Sequence, residues 1–217
     1  PRKVNMLYVY TSYPSVFLAL EGVTDFRLSD DGNRLAVLTE LTIEKKKSYS
    51  IRVYDLRSKN PVREFDQAEK FKLSRWSEST DKFAFYQSQD TSLENYELYV
   101  YDFKTNKSSI IGAEFIEALN FGDSLPSIHQ KPLFSKDEQN MVFGMAKKLS
   151  EAPEDSLLAE EKASVDVWHY LDQNIQPQQL KVLKREKKKS DWFLYSFEDQ
   201  TLHKLNNDTL SLSFNDE

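Results

Sequence analysis

The chain has 217 residues, a net charge of −6, no cysteine and 5 glycines. The glycines lie far apart, which excludes a G-x-G-x-x-G dinucleotide loop, a Gly-Lys phosphate loop and the G-x-S-x-G elbow of a nucleophilic serine. The acidic balance argues against a nucleic-acid partner. Because no run of about 18 apolar residues occurs, we expect no membrane span. The lack of cysteine excludes disulfides and thiolate metal sites.

The N-terminal part of the chain predicts a hairpin and then a four-stranded unit. The segment LYVYTSYPSVFLAL (7–20) predicts the outer hairpin of an incomplete unit. Residues 24–40, TDFRLSDDGNRLAVLTE, predict two strands around a polar turn. In residues 49–54 apolar and polar side chains alternate, which is the period of a half-buried strand. PVREF (61–65) follows a turn and predicts the fourth strand.

The same order of strands returns twice. The second unit has strands at 71–76 and 83–87 and an outer pair in YELYVYDFKTNKSSIIG (96–112). The third begins at His129 with KPLF, the turn SKDEQN and a strand at 141–145. Its outer hairpin is postponed to DWFLYSFEDQTLHKL, which indicates an insertion between the inner and outer strands.

Ser29, Ser77 and Ser135 open the first turn of each unit, so the units are offset by 48 and 58 residues (77 − 29 and 135 − 77). Four strands that recur every 40–50 residues or so are typical of a β-propeller, whose blades bury apolar side chains between neighbouring sheets. A β-sandwich also has short strands, but it needs no repeated unit. We therefore expect an all-β chain that forms a β-propeller segment. About three four-stranded blades are expected, at 23–70, 71–125 and 126–209, and the last contains an insertion at about 146–190. A partial blade precedes them at 1–22, and the start of another blade follows at 210–217.

The insertion contains polar and aromatic residues that the repeat does not explain. Glu160 and Glu161 are adjacent carboxylates, which either hold the free amino end of a peptide by ion pairing or belong to an exposed charged loop. Trp168 and His169 lie in VDVWHYLD, whose alternation predicts a strand, and packing or an interface contact would explain them. The three histidines of the chain have no recognised ligand spacing, so we expect no metal site and no cofactor. We assign no catalytic residue, since no serine lies on an elbow.

Residues 131–205 resemble a known family. KPLFSKDEQNMVFGMA, an acidic linker, VDVWHYLDQNIQPQQLK and SDWFLYSFEDQTLHKL are similar to the N-terminal β-propeller region of bacterial prolyl-oligopeptidase-type (S9-like) serine peptidases. In that family a similar D-V-W-H-W/Y segment and a Q-P-Q-Q-like segment lie inside one blade. The earlier units match only in generic patterns such as LSDDGNRLAV. The turn SKDEQN also departs from the usual S-x-D-G, because it lacks the glycine.

The resemblance implies a propeller followed by an α/β-hydrolase domain that carries the catalytic Ser, Asp and His, and nothing in this sequence matches that domain. The chain would then be the non-catalytic portion of a serine peptidase and would restrict the access of short peptides to the hydrolase domain. Its partners would be that domain and the peptide substrate, and the resemblance favours a periplasmic or secreted location. The alternative is a stand-alone β-propeller that binds other proteins and has no enzymatic activity.

Overall fold

The structure, a computed structural model, describes residues 5–12, 15–43, 46–58, 60–149 and 188–206. Within these residues the regular elements are strands and one short helix. In chain order they are β1 (Met6–Thr11), β2 (Val16–Glu21), β3 (Val23–Leu28), β4 (Arg34–Ile43), β5 (Lys46–Asp55), β6 (Pro61–Phe65), β7 (Lys70–Trp76), β8 (Lys82–Ser88), β9 (Glu97–Asp102), β10 (Lys107–Ile111), α1 (Ala113–Ala118), β11 (Ser124–Pro126), β12 (Leu133–Phe134), β13 (Asn140–Lys147), β14 (Asp191–Ser196) and β15 (Leu202–Lys204).

Neighbouring strands pair antiparallel in four successive sheets. The hairpin sheet contains β1 and β2, and the first sheet has the order β3-β4-β5-β6. The second sheet mirrors that order along the chain, with β7 at one edge and β10 at the other. The third sheet has the order β11-β13-β14-β15, and β12 pairs with the same edge of β13 as β11 does. The first and second sheets are thus simple up-and-down meanders of four strands each.

The two faces of a central strand both carry large apolar side chains, which explains why the sheets stack. In β8, Phe83 and Phe85 point to one side, and Ala84 and Tyr86 point to the other. Because side chains alternate along a strand, each set packs against a different neighbouring sheet. All four are almost completely buried. A buried phenylalanine stabilises the fold by about 1.5–3 kcal/mol relative to an exposed one, so these faces hold the stack together.

Three apolar clusters lie between successive sheets. The hairpin sheet and the first sheet enclose Leu18, Leu35 and Val37. The first and second sheets enclose an aromatic cluster in which the Phe65 and Phe85 rings lie 4.8 Å apart. The second and third sheets enclose the largest set. Its buried members are Ala84, Tyr86, Tyr96, Leu98, Val100, Ile111, Ile116, Leu125, Met141, Phe143, Met145, Phe193, Tyr195 and Leu202.

The expectation of an all-β chain is confirmed in its coarse form, since antiparallel strands dominate the described residues. The sequence did not predict α1, a single turn and a half in which Ile116 is buried against the third sheet. The numbers and boundaries of the blades stay predictions. In the part of the chain that the structure describes, no helix is long and apolar enough to cross a membrane.

Candidate functional site

The four residues predicted as site residues, Glu160, Glu161, Trp168 and His169, lie outside the described residues, within 150–187. Their positions are therefore not described, and their roles stay predictions. What it shows is where that segment joins the fold. Met145 of β13 lies opposite Asp191 of β14, so the chain leaves and re-enters the third sheet at the same end.

A cavity of about 410 Å³, the end cavity, lies at that end of the sheets. Asn95, in the loop between β8 and β9, closes one side through two hydrogen bonds with the backbone of Leu149. Its side-chain N–H₂ donates to the Leu149 carbonyl and its side-chain oxygen accepts from the Leu149 N–H, each at 2.8 Å. The lining is mixed apolar and polar, and consists of Glu94, Asn95, Leu125, Pro126, Ser127, Ile128, His129, Ala146, Lys147, Leu149 and Lys188.

Tyr86 holds the loop that forms the floor of the end cavity. Its hydroxyl lies 3.1 Å from the carbonyl oxygens of both Ser127 and Gln130, to which it can donate. Burial raises the pKa of the Tyr86 phenol well above its usual range, so the hydroxyl stays protonated and available as a donor. The second sheet thereby fixes the loop between β11 and β12, which contains His129. The sequence does not reveal this contact, because a tyrosine in a strand gives no sign of its long-range partner.

Three similar turns lie at the opposite end of the sheets. In each turn a serine hydroxyl accepts a hydrogen bond from the backbone N–H five residues later: Arg34 to Ser29 at 2.8 Å, Lys82 to Ser77 at 3.0 Å and Asn140 to Ser135 at 3.0 Å. These are the serines that the sequence repeat identified. The common bonding pattern explains why serine recurs at this position.

A left-handed residue is the fourth member of each turn. Gly32 has φ of 70°, Thr80 has 62° and Glu138 has 54°. Glycine adopts this conformation at little cost, whereas threonine and glutamate do so only when surrounding contacts hold them there. For Glu138 the contacts are evident, because its carboxylate accepts two hydrogen bonds from Ser79 in the neighbouring turn.

Charged groups join these turns to one another. Lys82 lies 3.8 Å from carboxylate oxygens of both Glu138 and Asp102. Burial alone would raise the pKa of Glu138, but the hydrogen bonds from Ser79 and the charge of Lys82 outweigh it, so the pKa is lowered. Beside these groups lies a polar cavity of about 540 Å³. This end of the stack is thus a charged surface on which neighbouring turns are joined by hydrogen bonds and ion pairs.

Equivalent cation contacts recur between neighbouring sheets. The Arg34 guanidinium lies over the Phe103 ring at 4.7 Å from its centroid, and the Lys82 ammonium lies over the Phe197 ring at 5.5 Å. In both cases a cation from the first turn of one unit covers the aromatic residue that follows the third strand of the next. Such contacts contribute about 0.5–2 kcal/mol each and join one sheet to the next.

The described residues contain no group of three or more His, Asp or Glu side chains arranged to hold a metal ion. Over the same ranges, no hydrogen bond joins a serine hydroxyl to a histidine ring. The expectations of no metal, no cofactor and no catalytic residue remain predictions for the whole chain.

No protein-family model matches the sequence, and no curated protein matches it. Solved structures do resemble the fold. The β-propeller domain of the Trilobed protease from Pyrococcus furiosus aligns with 94% of this chain and 49% of its own, at 16% identity and a TM-score of 0.46. Acylaminoacyl peptidase from Pyrococcus horikoshii aligns over 84% of this chain and 24% of its own, at 13% identity and a TM-score of 0.45. TolB from Acinetobacter baumannii aligns over 94% and 38%, at 9% identity and a TM-score of 0.40. The chain spans about half, or less, of the length of these proteins.

Proposed function

We propose that the chain is the non-catalytic β-propeller portion of a serine peptidase that resembles the prolyl oligopeptidases. It restricts the access of short peptides to an α/β-hydrolase domain that lies outside these 217 residues. The observation that supports the propeller is the stack of successive antiparallel meanders, with apolar clusters between each sheet and the next. The resemblance of residues 131–205 supports the link to a peptidase.

The gating role follows from the physics of a cap over a hydrolytic site. A rigid cap admits peptides by size and excludes bulk water from the chemistry. The cation–aromatic contacts and the Glu138–Ser79 pair tie successive sheets to one another, which a cap of this kind requires. The resemblance also favours a periplasmic or secreted location.

The experiment compares the 217-residue chain with the full polypeptide of its reading frame, both purified and both given a short chromogenic peptide with proline before the scissile bond. The chain alone releases no chromophore, and the full polypeptide cleaves the peptide but not a folded protein that contains the same sequence. Cleavage by the chain alone overturns the non-catalytic assignment. A full polypeptide that has no hydrolase motif and no activity overturns the peptidase assignment.

Within this proposal, Glu160 and Glu161 hold the free amino end of the peptide, and Trp168 and His169 lie beside it. The double variant Glu160→Gln/Glu161→Gln in the full polypeptide then raises KM for a peptide with a free amino end and leaves KM for its acetylated form unchanged. Glu151→Gln/Glu154→Gln removes the same charge from the same acidic stretch and is the control. An equal change for both peptides contradicts the assignment.

The second candidate is a stand-alone propeller that binds proteins. It is favoured by the outer face of the hairpin sheet, where Tyr8, Tyr10 and Phe17 are 64%, 71% and 57% exposed. Aromatic side chains gathered on one face are typical of contact surfaces. The same comparison of polypeptides separates the candidates, because a binding module ends without a G-x-S-x-G elbow in its reading frame.

A further inference from the structure

The first, second and third sheets each contribute an edge strand to a groove that has no part in the function proposed above. The groove has a volume of about 1010 Å³ and is lined by residues of β3, β7, β12 and β13, by the turns that follow the first three of these strands, and by Lys131 before β12. We call it the inner groove. Its lining is Arg27, Leu28, Asp30, Ser74, Arg75, Trp76, Glu78, Lys131, Leu133, Phe134, Ser135, Lys136, Asn140 and Val142.

The charge of the inner groove is opposite to that of the chain. Four cations, Arg27, Arg75, Lys131 and Lys136, line the groove together with two carboxylates, Asp30 and Glu78. Arg27 is already paired with Asp25 at 2.9 Å, which leaves three cations against the two carboxylates. The chain as a whole carries −6. Lys131 and Lys136 have no ion-pair partner within the described ranges, so their charges are available to a ligand. A concave surface with an excess of one sign of charge attracts ligands of the other sign.

Ser74 adds an independent sign of a binding site. The residue is 9% exposed, and its hydroxyl has no hydrogen-bond partner in the described part of the chain. It lies at a β-bulge, because the pairing of β7 with β8 shifts between Leu73 and Arg75. A bulge inserts an extra residue and redirects its side chain, and bulges are common beside binding sites. A buried hydroxyl without a partner is costly, and a ligand atom that accepts its hydrogen bond would remove that cost.

The strand edges point to a peptide as the ligand. Among the described strands, β3 and β7 each pair on one side only, and both strands contribute residues to the lining of the groove. One carbonyl there, that of Arg27, already accepts a hydrogen bond of 3.1 Å from the Trp76 indole. The remaining backbone groups of an edge strand can pair with an extended peptide, and Leu28 and Phe134 offer apolar contact for its side chains.

We propose that the inner groove binds an extended peptide through a carboxylate. The carboxylate accepts a hydrogen bond from the Ser74 hydroxyl and forms ion pairs with Lys131 and Lys136. This inference rests on the proposed function for the peptide nature of its ligand and adds the group that is recognised. Binding is measured on the 217-residue chain itself, so a negative peptidase assay and a negative binding assay are distinguishable.

Isothermal titration calorimetry with three acetylated hexapeptides of the same apolar sequence tests the assignment. One has a free C-terminal carboxylate, one is amidated, and one is amidated with a glutamate at an inner position. At least one of the two carboxylate peptides binds about tenfold or more tightly than the neutral one, and the tighter of them identifies the source of the carboxylate. Equal affinity for all three peptides, or inorganic phosphate that binds as tightly as any of them, overturns the proposal.

Two variants separate a binding role from a structural one. Ser74→Ala lowers the affinity for the carboxylate peptide about tenfold and does not lower the thermal midpoint of unfolding, because it removes a buried hydroxyl that has no partner. Lys131→Ala/Lys136→Ala lowers the affinity further, whereas Lys104→Ala/Lys107→Ala, which removes two exposed lysines outside the groove, leaves it unchanged. If Ser74→Ala binds the carboxylate peptide as tightly as the unaltered chain does, the proposal is wrong. It is also wrong if the two double lysine variants lose affinity for that peptide to the same extent.

Discussion

Glu138 reaches across 59 residues of sequence to Ser79, whose backbone N–H and hydroxyl each donate a hydrogen bond of 2.7 Å to its carboxylate. The contact ties the first turn of the third sheet to the first turn of the second. Glu138 occupies the position in its turn that Gly32 occupies in the corresponding turn of the first sheet, and both residues have positive φ. In the third sheet, the residue that replaces the glycine of S-x-D-G is therefore the one that provides the cross-link, and its contacts hold a backbone conformation that glycine adopts freely.

We expect Glu138→Gln to lower the free energy of unfolding by about 1–3 kcal/mol, because it weakens two hydrogen bonds to a charged acceptor and leaves Lys82 without one of its carboxylates. Urea denaturation followed by tryptophan fluorescence measures the change. Glu198→Gln is the control, since it removes the same charge at an exposed position of the third sheet. A loss of similar size in both variants would show that net charge, and not the contact with Ser79, is responsible.

The acid stability of the chain should depend on the carboxylates of the turns. Burial alone would raise the pKa of Asp31, but hydrogen bonds from Ser29, Asn33 and Thr80 lower it from 3.8 to about 2. The pKa of Glu138 is also lowered from its usual 4.5. A carboxyl whose pKa is lower in the folded state stabilises the fold above its unfolded pKa, and this contribution is lost as the pH falls toward the folded value.

Urea midpoints measured between pH 7 and pH 2 test this dependence. We expect a constant midpoint above about pH 5 and a progressive decrease from there toward about pH 2. Asp31→Asn should flatten part of the decrease, because the side chain no longer ionises. The neighbouring Asp30→Asn is the control, since the Asp30 carboxylate has no hydrogen bond within the described ranges. The prediction fails when both variants follow the unaltered chain.

The sequence pattern predicted the local features and missed the contacts between units. The alternation in KFAFYQS places Phe83 and Phe85 on one face of a strand, and Ser29, Ser77 and Ser135 occupy equivalent turns. Both depend on residues close in sequence, so periodicity and spacing reveal them. The bond from Glu138 to Ser79 and the one from Tyr86 to Ser127 depend on how sheets pack, and no local pattern encodes that.

The candidate site shows the same division. The sequence pointed to the 160–169 region because its residue types are unusual for the repeat, and that region lies outside the described residues. It did not point to Ser74, because a serine inside a strand is ordinary until the bulge and its burial are known. Bulges follow from the register between two strands, which one strand's own sequence does not determine.

Gly144 of β13 permits a close approach between the third sheet and the loop before β12. A methyl group there would contact Gln130, including its Cβ at 2.7 Å, and would lie 2.9 Å from the Ser190 hydroxyl oxygen. We expect Gly144→Ala to lower the free energy of unfolding by about 1–3 kcal/mol through overpacking. A double-mutant cycle with Gln130→Gly in urea isolates the cause, because removing the Gln130 side chain should restore part of the loss. Strict additivity of the two changes would contradict the steric explanation.

Tyr86→Phe tests whether the second sheet holds the floor of the end cavity. The variant keeps the buried ring and removes the hydroxyl that lies 3.1 Å from the carbonyl oxygens of Ser127 and Gln130, so we expect a loss of about 1 kcal/mol in the free energy of unfolding. Tyr8→Phe, at a side chain that is 64% exposed, should change it by less than about 0.5 kcal/mol.

Hydrogen exchange distinguishes a local from a global effect of Tyr86→Phe. The Ser127 N–H donates to the Gly144 carbonyl at 2.8 Å, so its exchange reports whether the loop stays against β13. If Tyr86 positions the loop, exchange at the Ser127 amide accelerates more than exchange at the central amides of β8. The amides of β8 lose their protection only when the sheet unfolds. An equal acceleration at both places would mean that the hydroxyl stabilises the whole core and leaves the loop to be positioned by its own pairing with β13.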